Sequence, residues 1–463
     1  MTIDQQAMDA LRAAAGSSEF DDSPGALASA SHDTWPLSTK LSRLGQHPWP
    51  AELVIRLSGF DVLPGLLATA TRHGVPVTVR ACGSSVTGQP LPVRGGVVLD
   101  VSTVPAEFTL DERNLTVTAS ASMPGGELED VLAQAGYTLG HSPQSLYRSS
   151  VGGWVATLAS GQFSSMYGGI EDLVTGYTAV LATGETVTLT ARPRAAMGPD
   201  LRRILIGSEG TLGVITSVTL KVFPATLTTR LCGYRLRSVE DGIELLREQA
   251  VLGLRPLLLR LYDAAEAVHA APGETQPVLF VGTRGPGELA DAELEVLEDL
   301  ITGRGGVPLG PGPVERWMGR RFDFSTVENL LDEPGGYAET IEVAHTWSGI
   351  GGLYHALIEA LAPLADEVLG HFSHVYPQGT SLYVILLGRA ADDDEAVRRL
   401  RSIWETAMRV CLEHDAELSH HHGGGLARSA YAERSLGSGH LILRKLKAAL
   451  DPAGILNPGK LGL

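Results

Sequence analysis

Three adjacent histidines, in Ser419-His420-His421-His422-Gly423-Gly424-Gly425, are the densest group of imidazoles in the chain. Imidazole titrates nearest to neutrality, so the run suits general acid–base chemistry. Two plainer readings compete with that one: an exposed polar stretch, or part of a metal site. On a strand, neighbours face opposite sides, so only His420 and His422 would share a face. A metal would need more ligands converging from elsewhere, and the sequence shows none at ligand spacing. Tyr383, in the apolar run Leu382 to Leu387, offers a phenol that can donate to a substrate oxygen or pass a proton on; its alternative is simple packing within a sheet. Arg260 sits inside Leu259-Arg260-Leu261-Tyr262. A guanidinium in an apolar strand needs an acidic partner or a ligand, and Asp263 is the rival to a bound anion. Arg320 and Arg321, after Trp317, are further candidates for holding an anion, or else a solvated helix face.

Three other segments are rich in glycine and hydroxyls. Arg80-Ala81-Cys82-Gly83-Ser84-Ser85-Val86-Thr87-Gly88 follows a strand-like run, and successive backbone N–H groups in such a turn form an anion nest whose natural ligand is a diphosphate. Pro143-Gln144-Ser145, then Ser149-Ser150-Val151-Gly152-Gly153-Trp154 and Thr157 through Ser160-Gly161, are too small to fill a core and let something flat approach the backbone. Gly207-Ser208-Glu209-Gly210 leads through Gly213 into Val214-Ile215. Each segment alone reads equally as a turn. The spacing Gly-x-Gly-x-x-Gly is absent from the first, so a Rossmann site is not indicated.

The elements that must position these groups follow from periodicity and breakers. Residues 4–15 read as a short amphipathic helix and 16–35 as a loose lead-in. Val75–Arg80, Val97–Val101 and Leu115–Ala121 read as strands, and Glu127–Ala135 as a helix ended by Gly136. Tyr177–Ala182 and Thr186–Leu189 form a hairpin around Thr183-Gly184, and Leu212–Val222 is a β-branched strand. After about 225 the pattern alternates: strand Cys232–Leu236, helix Val239–Val251, strand Pro256–Tyr262, strand Pro277–Thr283 and helix Gly287–Thr302. A Gly/Pro-rich loop over 303–313 follows, then strand Thr380–Leu387, helix Asp394–Val410 and a last helix Leu441–Leu450. Such alternation indicates a second α+β unit.

The chain has 463 residues, enough for two cores. Its net charge of -17 argues against binding through nucleic-acid phosphates or anionic lipid, though not against a basic pocket for a small anion. Cys82, Cys232 and Cys411 form neither a metal spacing nor a disulfide framework. With no apolar leader in 1–20 and no apolar run of spanning length, a cytoplasmic protein is expected. A homodimer is the default expectation.

Taken together, the three glycine/hydroxyl segments and the ending Ile455-Leu456-Asn457-Pro458-Gly459-Lys460 resemble the FAD-binding signature of the vanillyl-alcohol oxidase / p-cresol methylhydroxylase superfamily. Members usually show Arg-Gly-Gly-Gly-Thr-Ser-x-x-Gly at the first segment; Ala81 and Cys82 stand here for two of the glycines. Within it, His141-Ser142-Pro143-Gln144-Ser145, Tyr167-Gly168-Gly169-Ile170-Glu171-Asp172, Leu259-Arg260-Leu261 and the three-histidine run resemble the alkyl-dihydroxyacetone-phosphate synthases. An arginine tied to substrate in those enzymes falls near Val327-Glu328, where this chain has no basic residue.

The resemblance implies an α+β protein: a lead-in over 1–45, a two-part FAD-binding domain over 46–225, a substrate-binding cap with an antiparallel sheet over 226–415, and a segment 416–463 returning to the flavin. It implies an FAD-dependent oxidoreductase that moves a hydride from an alcohol or 2-hydroxy-acid carbon to flavin N5, with oxygen or another acceptor taking the electrons. The alternative is a non-redox alkyl/acyl exchange on a phosphorylated substrate, as in the synthases. Tyr383, His420, His421, His422 and His141 become the catalytic candidates, Arg260 and Arg320 the substrate anchors, and no resident metal is expected. Relatives that tether the flavin do so through a histidine where this chain has Ser84, or through a cysteine ahead of the glycine pair, where 141–151 has none. The FAD is therefore expected to be non-covalent. Acid precipitation of the purified yellow protein should release the flavin bands into the supernatant; colour held in the pellet would contradict the Ser84 argument.

Overall fold

The computed structural model describes residues 3–463. Short parallel strands open the fold because Leu53–Arg56, Val77–Arg80 and Val97–Asp100 are four-residue runs rich in valine, leucine and isoleucine, whose apolar side chains pack with helix Leu63–His73. Glu19–Asp21 adds an antiparallel edge to this sheet. The lead-in expected to be loose thus contains a strand and a helix, Pro24–Ala30, capped by Ser23 and started by its proline. A second sheet, five-stranded and antiparallel, runs in the order Phe108–Asp111, Thr116–Ser120, Val214–Lys221, Val174–Val180, Thr186–Leu189. The first glycine/hydroxyl segment follows strand Val77–Arg80 of the parallel sheet, and the second and third flank the five-stranded one.

The third sheet has seven strands in the order Val307–Gly310, Thr228–Arg235, Val278–Gly285, Leu258–Tyr262, Glu367–Tyr376, Gly379–Arg389, Gly336–Thr346, all antiparallel. The stretch expected to be a loop over 303–313 therefore supplies an edge strand. Alternation sets its two faces. Leu259, Leu261, Ile341, Val343, Leu382, Val384 and Leu386 point to a core built with helices Val239–Val251, Trp347–Leu361 and Asp393–Glu413. The opposite parity, Arg260, Tyr262, His371, Tyr383, Ile385 and Leu387, lines a cavity shared with the glycine/hydroxyl segments. The chain's end closes the arrangement: Leu456 bridges to Val77, and Asn457 Nδ2 donates to the carbonyls of Gln89 (3.0 Å) and Glu209 (2.6 Å). Among the described residues, no helix is long and apolar enough to cross a membrane.

On the helix side of the big sheet, Glu339 is buried, with its carboxyl accepting from the Thr340 N–H (2.9 Å) and the Trp404 indole N–H (2.7 Å). Burial raises its pKa to about 8 against the pull of those donors. A carboxyl raised on folding holds a proton only in the folded state between its ordinary value and about 8, so its contribution to stability falls as pH rises across that window. The Tm of the wild type should therefore fall relative to that of Glu339→Gln between about pH 5 and about pH 8. Parallel Tm profiles would contradict a neutral Glu339.

Candidate active site

A buried carboxylate organises the site. Glu342, fully buried in the last strand of the seven-stranded sheet, accepts backbone N–H bonds from His420 (2.8 Å), His421 (3.2 Å) and His422 (2.8 Å). The Ser419 hydroxyl (2.8 Å) and the Arg428 guanidinium (3.3 Å) complete its partners. Burial acts to raise its pKa; the attraction of His422, His421 and Arg428 outweighs that and holds it well below the usual carboxylate range. The histidine run is therefore not a strand with alternating faces. It is a bend wrapped around one carboxylate, with successive imidazoles 5.0 and 4.7 Å apart between centroids. His421 and His422 line the cavity, whereas His420 does not.

Strand register supplies the rest. Tyr383 stands between Glu342 on one neighbouring strand and His371 on the other, and His371 in turn faces Tyr262. The Tyr383 phenol shares a 2.8 Å hydrogen bond with His421 Nε2 and stacks on His371 at 4.4 Å. Burial pushes its pKa far above the ordinary tyrosine range, and burial lowers His421 to about 3. Both groups are neutral at physiological pH.

Arg260 is buried and donates from Nε to the Tyr262 hydroxyl (2.9 Å) and from Nη2 to His371 Nε2 (2.9 Å). A guanidinium only donates, so His371 Nε2 accepts and its Nδ1–H points to Glu266 (2.8 Å), which fixes the tautomer. Trp317 covers the guanidinium at 5.1 Å. The rival salt bridge to Asp263 does not form: that carboxylate caps helix Ala264–Ala270 and accepts from Tyr354 (3.0 Å). Arg260 thus lines the cavity with no carboxylate bonded to it among the described residues. Arg320 also lines the cavity but is exposed and bonded to the His269 and Ala270 carbonyls.

His374, which the sequence reading passed over, joins the group through a β-bulge. The register shifts between Ser373 and Val375, and His374 takes a left-handed φ of 54° that re-aims its ring. Its Nδ1 bonds the hydroxyls of Ser164 (2.6 Å) and Ser160 (3.3 Å), and one ring nitrogen each of His374, His420 and His421 fall within 4.8 Å of one another. Hydrogen bonds to serine, tyrosine and each other already engage those nitrogens. His371, Glu266 and Glu342 were also unmarked in the sequence; a lone acid in Thr340-Ile341-Glu342-Val343 was the available signal.

The cavity has a volume of about 780 Å³. Arg80, Ala81, Cys82, Gly83, Ser84 and Ser85 form one wall. Gln144, Ser145, Ser149, Ser150, Gly152, Gly153, Thr157 and Ser160 form another, and Glu209, Gly213, Val214 and Ile215 a third. Thr87, Gly88, Gly161 and His141 lie behind these walls. Thr87 Oγ1 donates to the His422 carbonyl (3.2 Å), and a Cβ on Gly161 would strike the Ser142 backbone at 2.4 Å. His141 packs on Trp154 at 4.6 Å, with burial lowering its pKa to about 3. The Glu209 carboxylate is turned to the Gly424 (2.6 Å) and Gly425 (3.0 Å) N–H groups, tying the histidine bend to the third wall.

The donor set fits a dinucleotide. The N–H groups of Cys82 through Val86 have no acceptor among the described residues, which is the nest a diphosphate requires.

Residues 51–190 match the FAD binding domain model, and residues 228–461 match the C-terminal domain of FAD linked oxidases. The chain is 34% identical over 436 residues to the FAD-linked oxidoreductase YgcU of Escherichia coli K12, covering 89% of each chain. It is 24% identical over 456 residues to the alkyldihydroxyacetonephosphate synthase of Dictyostelium discoideum, covering 90% of this chain and 74% of that one. It is 27% identical over 462 residues to the glycolate oxidase subunit GlcD of Bacillus subtilis, covering 96% and 94%. Among solved structures, an alkyldihydroxyacetonephosphate synthase superposes with a TM-score of 0.82 at 22% identity, covering 98% of this chain and 86% of that one. A substrate-bound p-cresol methylhydroxylase superposes with a TM-score of 0.82 at 14% identity, covering 99% and 96%. The fold is that of the p-cresol methylhydroxylase type, the cofactor is FAD, and the chain belongs to the FAD-linked oxidases.

Proposed function

We propose that the protein oxidises the CH–OH group of a 2-hydroxy acid. The observation that carries this is one cavity wall on which Arg260, free of any bonded carboxylate, stands beside the Tyr383–His421 pair (2.8 Å). Arg260 receives the substrate carboxylate. Tyr383 orients the hydroxyl oxygen, and His421 draws its proton through the phenol. Bound FAD, held by the three glycine/hydroxyl walls, supplies the two-electron acceptor. Leu369, Ile385 and Leu387 leave an apolar surface for the acid's side chain. The relative named for glycolate, and one named as a D-lactate dehydrogenase, support a 2-hydroxy acid.

A second reading is non-redox exchange, favoured by the three-histidine bend and by similarity to synthases. There, substrate-dependent bleaching would consume no electron acceptor.

The test is anaerobic mixing with glycolate, lactate, mandelate and 2-hydroxyoctanoate, followed at the flavin bands. At least one acid should bleach the protein, with an added dye reduced in step. Tyr383→Phe should slow bleaching by about 100-fold, and Arg260→Met should raise KM by roughly 10- to 100-fold. The base must be neutral to act, so activity is lost as pH falls through its pKa. With His421 at about 3, the acid limb of kcat/KM lies well below the ordinary histidine range. Bleaching by none of these acids, or an acid limb near the ordinary histidine value, would sink the reading.

A further inference from the structure

We infer that His420 and Tyr376 form the exit of a proton relay that carries the substrate hydroxyl proton from Tyr383 to the protein surface. This rests on the function proposed above.

The relay is an unbroken line of hydrogen bonds. Tyr383 Oη meets His421 Nε2 at 2.8 Å, His421 Nδ1 meets His420 Nδ1 at 2.8 Å, and His420 Nε2 meets the Tyr376 hydroxyl at 2.7 Å. Its inner end lines the cavity, but His420 and Tyr376 do not, so neither touches substrate. Its outer end is half-buried, next to the exposed Pro377-Gln378 turn. Glu171 and the exposed Asp172 are acids that act on the Tyr376 phenol, and Ser160 bonds it. Glu342 underlies the line through the three backbone N–H groups, and Arg428, Arg260, His371, His374, His422 and His141 are further charged or titratable groups around it.

The line has two complete hydrogen-bond directions. In the outward one, Tyr383 donates to His421 Nε2, His421 Nδ1–H donates to His420 Nδ1, and His420 Nε2–H donates to Tyr376, whose own proton is then the one to leave the line. If the substrate hydroxyl gives its proton to Tyr383 Oη, each member passes its proton on and Tyr376 releases one to solvent. The line is then left in the inward direction. Bound FAD would supply the two-electron acceptor for the substrate C–H electron pair and its hydrogen, so one proton and one hydride equivalent would account for the oxidation. No member rests as an ion. That matters in a site where burial disfavours charge: burial lowers His420 and His421 to about 3 and raises both tyrosines. A lone buried base would instead have to hold the proton.

The test is anaerobic stopped-flow reduction by 2-hydroxyoctanoate in weak buffer with a pH-indicator dye. In the wild type, one proton should reach the dye at the rate of flavin bleaching. In Tyr376→Phe, the limiting bleaching rate should fall 10- to 100-fold and proton release should lag it. The acid's apparent Kd should stay within twofold, which a merely structural defect would not preserve. Bleaching and proton release both at wild-type rates would overturn the relay. A measurement independent of turnover uses ¹⁵N-histidine NMR of the resting protein. Between about pH 6 and about pH 8, His420 and His421 should be neutral, with one of the two Nδ1 atoms protonated and the other bare. An imidazolium at either, or matching Nδ1 states, would overturn the relay. If no hydroxy acid bleaches the wild type while the NMR pattern holds, the functional reading fails and the relay's assigned task falls with it.

Discussion

A carboxylate removed from water must collect its own solvation from the protein, and Glu342 does so with backbone and cation donors brought from more than seventy residues away. That requirement sets the path of residues 419–423: three consecutive N–H groups can reach two carboxylate oxygens only if the chain bends around them. The bend groups three imidazoles edge to face instead of alternating them. Leaving the charge buried without these partners would cost several kcal/mol, roughly 3 to 5 by comparison with broken buried pairs. The same strand residue faces Tyr383 across the ladder, so one interaction fixes both members of the Tyr383–His421 pair.

The sheet does the remaining positioning. Its pleat gives one face to leucine, valine and isoleucine under the helices and the other to Arg260, Tyr262, His371 and Tyr383. The His371 ring is neutral, held by Glu266 behind it, and so presents a lone pair to Arg260 in place of an opposing charge. The guanidinium keeps its full charge for a ligand. The His374 ring on Ser160 ties this sheet to one glycine/hydroxyl wall, and the Glu209 carboxylate on Gly424 and Gly425 ties the histidine bend to another.

Much of this was legible in the sequence because it is local. Helix Val239–Val251 ends where its periodicity does, and strand Gly379–Arg389 announces itself by the unbroken apolar run Leu382 to Leu387. The glycine/hydroxyl segments speak through composition, and Arg260 through its apolar setting. What was missed depends on pairing between distant strands. Nothing near His371 says that it will stack on Tyr383, and nothing near Ser373 announces the bulge that turns His374 inward. The helix Pro24–Ala30 was overlooked because alanine, serine and glycine look like a linker, although Ser23-Pro24 is a good helix start. The edge strand Val307–Gly310 was hidden by its glycines and prolines, which edge positions tolerate.

The most direct measurement is a crystal structure of the FAD-loaded protein with 2-oxooctanoate, the ketone product of one candidate acid. The account predicts the carboxylate on Arg260, the 2-oxo oxygen within hydrogen-bond distance of the Tyr383 hydroxyl, and His421 still bonded behind it. A carboxylate seated on Arg320 or Arg321, with Tyr383 out of contact, would contradict it.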